Sequence, residues 1–213
     1  MNLLEQSTAD LLQEGKVLPV MEEFYTLQGE GFNTGQAAYF IRVGGCDVGC
    51  KWCDVKESWN AVDFPPVSTD LIVKNALVCP AKSIVVTGGE PLLYNMDYLC
   101  TELHAQGIMI FLETSGSQPL SGKWDWICIS PKKDAPPLKD VISRADELKV
   151  IIHDDTDFQW GEETSLQVSS SCILYLQPEW SRSETMMPEI IRYIKENPKW
   201  RISLQSHKYM HIP

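Results

Sequence analysis

The chain predicts an α/β fold, an open partial βα barrel on a mainly parallel sheet, and three observations carry that expectation. Short apolar runs alternate with amphipathic stretches, the pattern of repeated βα units. Five of those runs end in polar or glycine-rich clusters, as strands do where their carboxyl ends gather ligand-binding groups. The units are too few to close an eightfold barrel. With 213 residues one domain suffices, read as a leader over residues 1–20 and a single body over residues 21–213.

Residues 1–18 read as a polar–apolar leader holding a helical turn or two. Residues 38–43 form the first strand, an apolar run that leads straight into a cysteine-rich loop. A helix spans residues 69–78 with Ser68 or Thr69 as its N-cap. Residues 83–87 form a short buried strand ended by Gly88-Gly89, and Asn95 caps a second helix over residues 96–106 that Gly107 closes. Strands follow at 108–112, 126–130, 148–152, 172–177 and 201–205, with helices near Phe158 and over residues 184–196 between the last three. The cysteine loop, Gly88-Gly89-Glu90-Pro91, Glu113-Thr114-Ser115-Gly116, Ser130-Pro131-Lys132 and Gln205-Ser206-His207-Lys208 then share one rim. No internal repeat or low-complexity tract interrupts the series.

The formal charge of −11 argues against a general nucleic-acid binder, which needs a basic footprint. The start has no basic region followed by an apolar core, so it is no secretory signal. No apolar run reaches the roughly 20 residues of a membrane-spanning helix. Seven cysteines, an odd and clustered set, fit a reducing cytoplasm better than a disulfide framework. Cys79, Cys100, Cys128 and Cys172 sit in apolar patterns and read as small core residues.

The other three stand in Gly45-Cys46-Asp47-Val48-Gly49-Cys50-Lys51-Trp52-Cys53, spaced C-x3-C-x2-C. Three thiolates so placed can wrap one face of a cubane iron–sulfur cluster and leave one iron without a protein ligand. An open iron is a place for chemistry. A zinc knuckle competes, but structural zinc sites usually build from two separated Cys/His pairs, and no second pair stands nearby. The spacing, with an aromatic before the last cysteine, resembles the signature of the radical S-adenosylmethionine (SAM) superfamily. That resemblance implies a [4Fe-4S] cluster on Cys46, Cys50 and Cys53, with SAM chelating the open iron. Reductive cleavage of SAM then supplies a 5′-deoxyadenosyl radical that takes a substrate hydrogen atom.

The remaining clusters suit such a ligand, each against a plainer reading. Gly88 and Gly89 let backbone approach a ligand, and Glu90 can bond the methionine ammonium; alone the segment is a turn. Glu113-Thr114-Ser115-Gly116 offers groups for ribose or methionine, or is a capped turn. Ser130-Pro131-Lys132 suits a carboxylate, or a surface turn. Trp52 packs on adenine or shields the cluster from solvent. Upstream, Tyr25-Thr26-Leu27-Gln28-Gly29-Glu30-Gly31 is compatible with any turn, yet its amide and carboxylate match a heterocycle with an amidine-like donor edge, such as a pterin. Arg42 closes an apolar strand, where a cation is costly unless paired. Its fork suits a substrate carboxylate, and an internal salt bridge is the rival reading.

Leu27-Gln28-Gly29-Glu30-Gly31, Phe40-Ile41-Arg42, the compact cysteine loop, Thr87-Gly88-Gly89-Glu90-Pro91, Ser130-Pro131-Lys132 and Gln205-Ser206-His207-Lys208 together resemble the 7-carboxy-7-deazaguanine synthase family. The resemblance runs from about residue 20 to the last residue. It implies conversion of 6-carboxy-5,6,7,8-tetrahydropterin to 7-carboxy-7-deazaguanine with loss of ammonia, in the biosynthesis of queuosine and other 7-deazapurines. SAM is regenerated in that reaction. The family also implies magnesium dependence and a homodimer, and the superfamily a flavodoxin or ferredoxin as electron donor.

By the same resemblance Trp52, Cys53, Asp54, Gly89, Glu90, Ser115, Ser130, Pro131 and Lys132 contact SAM. Leu27, Gln28, Gly29, Glu30, Arg42, Thr87 and His207 contact the pterin, and Pro213 places a terminal carboxylate in a pocket that the C-terminal tail closes. One position departs from the pattern: many members carry threonine where this chain has Val55, which offers a hard cation no side-chain oxygen. No protein ligand for magnesium is therefore named. A glycyl-radical-enzyme activase would share the cysteine triplet but lack the pterin-type segment and Arg42. A non-enzymatic iron–sulfur or zinc module would require a fourth protein ligand.

Overall fold

The computed structural model describes residues 6–213, so the first five residues of the expected leader lie outside it. Nine strands follow in chain order: β1 Val17–Leu27, β2 Ala37–Val43, β3 Pro66–Ser68, β4 Ser83–Gly88, β5 Met109–Thr114, β6 Trp126–Ile129, β7 Glu147–Ile152, β8 Ile173–Pro178 and β9 Trp200–Ile202. They form one sheet in the order β3-β1-β2-β4-β5-β6-β7-β8-β9. β1 is antiparallel to both β2 and β3, and from β2 to β9 every neighbouring pair is parallel. The sheet does not close, so the open, mainly parallel architecture expected from the sequence holds.

The helices are α1 Thr8–Gln13, α2 Thr69–Ala76, α3 Asp97–Ala105, α4 Lys139–Ile142, α5 Thr156–Ser165, α6 Ser183–Glu196 and α7 Ser206–Met210. α1 starts at a capping box, in which Ser7 and Asp10 satisfy each other's backbone N–H groups. Its leader role ends sooner than expected, because β1 begins at Val17 inside the stretch assigned to residues 1–20. Pro19 and the Glu22-Glu23 pair hid this strand from a periodicity reading. Proline is tolerated there because its carbonyl still accepts from the Gly44 N–H at 2.8 Å and its ladder partner is only the three-residue strand β3 at the sheet margin. A register shift between Val20 and Glu22 then re-aims the strand onto β2.

Neither expected cap of α2 acts through its side chain. The Thr69 hydroxyl instead donates to the Gly15 carbonyl at 2.7 Å, tying α2 to the end of the leader. Asn95 accepts from the Asp97 N–H at 2.9 Å beside the α3 start, and Gly107, at φ +70°, ends that helix as expected. The last strand stops at Ile202, and residues 206–210 turn helical instead.

Alternation along the parallel strands splits the core in two. Outward residues Ile41, Val43, Ile84, Val86 and Ile110 pack on α2 and α3 through Ile72, Leu99 and Leu103. Leu148, Val150 and Leu176 pack likewise on Val141 of α4 and Met186 and Ile190 of α6. Each such side chain contributes about 1.5–3 kcal/mol through burial, so this two-sided core holds the sheet against its helices.

The concave face is layered. Phe40, Val85, Phe111 and Trp126 are consecutive register partners across β2, β4, β5 and β6. Phe24 stacks on Phe40 and Phe32 on Trp126, with centroids 5.1 and 4.5 Å apart. This aromatic layer plugs the bottom of the half-barrel. Two residues further along each strand the layer turns polar, with Arg42 beside Thr87 and Glu113 beside Cys128.

Candidate functional site

The cysteine loop begins where β2 ends and is gripped by backbone bonds from two directions. Gly45 N–H donates to the Ser58 carbonyl at 2.6 Å and Cys46 N–H to the Trp59 carbonyl at 3.1 Å. Tyr94 Oη donates to the Gly44 carbonyl at 2.7 Å. On the other side Gly89 N–H reaches the Val43 carbonyl and Glu90 N–H the Gly45 carbonyl. A β-carbon on Gly88 would lie 2.2 Å from the Val43 oxygen, and one on Gly89 would lie 2.0 Å from the Gly45 oxygen. The paired glycines thus let two loops touch, a task that the sequence did not separate from ligand approach.

Cys46, Cys50 and Cys53 are half-buried, free, and line one cavity of about 200 Å³. The nearness of the Cys50 and Cys53 thiols to each other draws Cys53 down and pushes Cys50 up. The Val55 N–H reaches the Cys53 sulfur at 3.4 Å. Trp59 Nε1–H is buried without a hydrogen-bond partner. N–H groups aimed at a sulfur are what a thiolate ligand requires. Among the described residues no three His, Cys, Asp or Glu side chains converge on a single-ion site. Three thiols lining one cavity are the donor type that an iron–sulfur cluster takes.

The other cysteines stand away from this cavity. Cys100 and Cys128 are buried as expected, and Cys79 and Cys172 are half-buried, packed against the two core clusters. Burial pushes the Cys100 and Cys172 thiols up to about 12.

Glu90 is buried and serves the scaffold. Its carboxylate accepts from Leu92 N–H at 3.1 Å, from Ser115 N–H at 2.9 Å, and from the Thr114 and Ser115 hydroxyls. Ser115 is therefore already engaged, and its hydroxyl belongs to the bond network joining the ends of β4 and β5. Lys132 Nζ donates to the Ser130 hydroxyl at 2.9 Å and lies 5.4 Å from the Trp52 ring centroid. Burial lowers its pKa. Trp52 and Lys132 form a wall between the main cavity and a second one of about 180 Å³ that Pro131 and Trp160 line.

Deeper in the cavity the concave polar layer contains a group that sequence reading missed. Lys149, on β7, donates to Glu30 Oε2 at 2.6 Å and to Glu113 Oε2 at 2.9 Å. Gln28 Nε2 reaches Glu113 Oε1 at 3.2 Å, and Gln28 Oε1 accepts from the Gly29 and Glu30 N–H groups. Glu113 thus faces Gln28 and Lys149, not a capped turn. Burial by itself pushes the Glu30 carboxyl up, but the Lys149 ammonium overrides this and holds it at about 2. Below them burial raises the Glu147 carboxyl, whose Oε1 has no partner while Oε2 accepts from Phe32 N–H and Trp126 Nε1–H.

These charges on β7 alternate with apolar neighbours, which resembles a solvated sheet face. They point instead into the half-barrel. The glycines of the Gln28–Gly31 turn answer to the same crowding: a β-carbon on Gly29 would strike His207, and one on Gly31 would lie 1.9 Å from Glu147 Oε1.

The C-terminal segment spans the mouth. Ser206 N–H and its hydroxyl both donate to the Gly29 carbonyl, at 2.9 and 2.7 Å. Gln205 and Lys208 reach Asp54 in the cysteine loop at 3.1 and 3.2 Å. His207 packs on Gly29, where burial lowers its pKa. Pro213 is exposed and does not line the cavity. Thr87 does line it, and Leu27 ends β1 beside Ala37. Arg42 Nε donates to Glu22 Oε1 at 2.6 Å, and its guanidinium lies 5.7 Å from the Phe24 ring centroid. The internal salt bridge weighed against a substrate contact is therefore formed.

Comparison with known proteins agrees with this geometry. The Radical SAM superfamily model matches residues 40–133. A 7-carboxy-7-deazaguanine synthase of Flavobacterium psychrophilum is 56% identical over 202 residues, covering 95% of this chain and 96% of its own. That of a Synechocystis species is 45% identical over 194 residues, covering 91% and 93%. The crystal structure of QueE from Escherichia coli matches with a TM-score of 0.80 at 28% identity, over 95% of this chain and 100% of that one. No described helix is long and apolar enough to cross a membrane.

Proposed function

Since the chain belongs to the 7-carboxy-7-deazaguanine synthase family of radical SAM enzymes, we propose that it converts 6-carboxy-5,6,7,8-tetrahydropterin to 7-carboxy-7-deazaguanine with release of ammonia. The product serves queuosine and related 7-deazapurine biosynthesis. The observation that carries the reading is that Cys46, Cys50, Cys53 and the Glu30 carboxylate line the same cavity. A radical source and an anion suited to an amidine edge then work within one small space.

Cys46, Cys50 and Cys53 hold the [4Fe-4S] cluster, with the Val55 N–H group supporting the Cys53 sulfur. When bound, cluster and SAM together supply a hydrogen-atom abstractor. The Gly89 backbone, Lys132, Ser130, Pro131 and Trp52 hold SAM between the two cavities, while Ser115 acts through Glu90. Asp54 couples that side to the C-terminal segment through Gln205 and Lys208. Leu27, Gln28, Gly29, Glu30, Thr87 and His207 shape the pterin pocket. Arg42, held by Glu22, supplies a cation for the substrate carboxylate with its terminal nitrogens.

Magnesium has no fitting side chain at Val55. The Ser58 hydroxyl donates to the Val55 carbonyl at 2.7 Å, and the Asp54 carboxylate already serves Gln205 and Lys208. The protein therefore gives this cation no ligand in the reading proposed. The reductant is a flavodoxin or ferredoxin, the location a reducing cytoplasm in which free thiols persist, and the assembly a homodimer.

The test is anaerobic: reconstituted, reduced protein with SAM and 6-carboxytetrahydropterin, followed by mass spectrometry. A deazaguanine carboxylate should form with little net loss of SAM. SAM cleavage without that product would overturn the substrate assignment.

A further inference from the structure

The turn that carries Gln28, Gly29 and Glu30 is closed at its base by two backbone bonds. Gln28 N–H donates to the Gln36 carbonyl and Gly35 N–H to the Gln28 carbonyl, both at 2.8 Å. Its tip is held from three sides. The Ser206 hydroxyl donates to the Gly29 carbonyl. The Ser203 hydroxyl accepts from Gly31 N–H at 3.0 Å while donating to Gln177 Oε1 at 2.6 Å. The third hold comes from the sheet itself. Glu147 Oε2, at the start of β7, accepts from Phe32 N–H and from Trp126 Nε1–H, each at 3.1 Å. Phe32 stacks on that same Trp126 ring, so one oxygen aligns both members of the stack.

We propose that Glu147 is a positioning residue for the pterin-contacting turn, fastening Phe32 to β6 and β7 so that Gln28, Gly29 and Glu30 meet the substrate in one arrangement. This role rests on the pterin reading above. Three observations support it. Glu147 is 2% exposed yet does not line the cavity, so it acts on a ligand only through its neighbours. Its Oε1 is buried without a partner, which is costly and rare in a carboxyl that serves packing alone. That oxygen fills the space of a side chain at Gly31, whose β-carbon would lie 1.9 Å from it. Turn and carboxyl are thus shaped to each other.

Burial outweighs the attraction of the Lys149 ammonium and favours the un-ionised acid. One oxygen then accepts both N–H bonds as a carbonyl does, and the other carries the proton. A glutamine amide has the same pattern, one acceptor and one donor end. A leucine of similar size keeps the packing but leaves two buried N–H donors without an acceptor. The two substitutions therefore separate shape from hydrogen bonding.

The test compares Glu147→Leu and Glu147→Gln with wild type, all reconstituted anaerobically. Amide exchange of the peptide over residues 28–36, read by mass spectrometry, should quicken about tenfold in Glu147→Leu, as loss of one hydrogen bond would give. KM for 6-carboxytetrahydropterin should also rise about tenfold, with kcat lowered less than about threefold and SAM affinity unchanged. Glu147→Gln should bring exchange and KM back to within about threefold of wild type. If Glu147→Leu does not fold, Gly31→Ala takes its place, because the added methyl drives Oε1 away and should produce the same two changes. Unchanged exchange and KM in the folded variant overturn the proposal, as does a Glu147→Gln protein as impaired as Glu147→Leu. Faster exchange with an unaltered KM sinks this inference alone. A wild type that makes no deazaguanine product sinks the functional reading, while the exchange comparison, which needs no turnover, still decides whether Glu147 holds the turn.

Discussion

The carbonyl oxygen of Gly45 lies 2.0 Å from where a β-carbon on Gly89 would stand. These residues belong to the cysteine loop and to the turn after β4, and the Glu90 N–H bond to that same carbonyl, at 2.8 Å, locks them together. The cysteine loop is therefore moulded against the turn after β4 by backbone contact alone.

Gly89→Ala should consequently damage cluster retention. The added methyl meets backbone, which cannot swing away, so stability should fall by about 1–3 kcal/mol. Iron and sulfide per chain after anaerobic reconstitution should drop together with the unfolding temperature. A variant with full iron content and unchanged melting would refute the contact.

Glu90→Gln tests the network between β4 and β5. Its carboxylate is surrounded by donors only, and an amide NH2 turned toward any of them leaves two donors facing each other. A loss of about 1–3 kcal/mol is expected, with SAM bound more weakly by tenfold or so. Unaltered SAM affinity would mean that the network does not position the SAM site.

Acid should weaken the fold through Glu30. Its folded pKa of about 2 lies below the roughly 4.3 of an unfolded glutamate. The unfolded chain thus takes up the proton first. The stabilisation, on the order of 3 kcal/mol, is complete above about pH 4.3 and disappears as pH falls toward 2. Urea midpoints followed from pH 6 to pH 3 should drop more steeply for wild type than for Glu30→Gln; parallel curves would contradict the linkage.

Arg42→Met separates binding from stability. Its partner Glu22 has a side chain 45% exposed, so the pair contributes no more than about 1 kcal/mol to folding. KM for the pterin should nevertheless rise about 10- to 100-fold, while Glu22→Gln costs less. Equal, small effects of both substitutions would leave Arg42 a surface ion pair only.

Val55→Thr restores a hydroxyl beside the cysteines. Wild-type turnover should change less than about twofold on adding magnesium, and the variant should gain a clear response. A strong magnesium dependence in wild type would show that another ligand replaces the missing oxygen.

The amino-acid sequence by itself determined the βα alternation, the parallel order of most strands, and the cysteine triplet, because each is a local pattern of period or spacing. It also placed Gln28–Gly31 and Gly88–Pro91 in turns beside strands, and only their resemblance to a family pattern set them apart from ordinary turns. Only the tertiary structure decided why those glycines are needed. Gly29 yields to His207, Gly31 to Glu147 and Gly89 to Gly45, all contacts between residues far apart in the chain. The same holds for Lys149, which reads as one polar position on an amphipathic strand until the curvature of the sheet turns that face inward. Alternation states which residues share a face; which face meets solvent depends on how the open sheet curves.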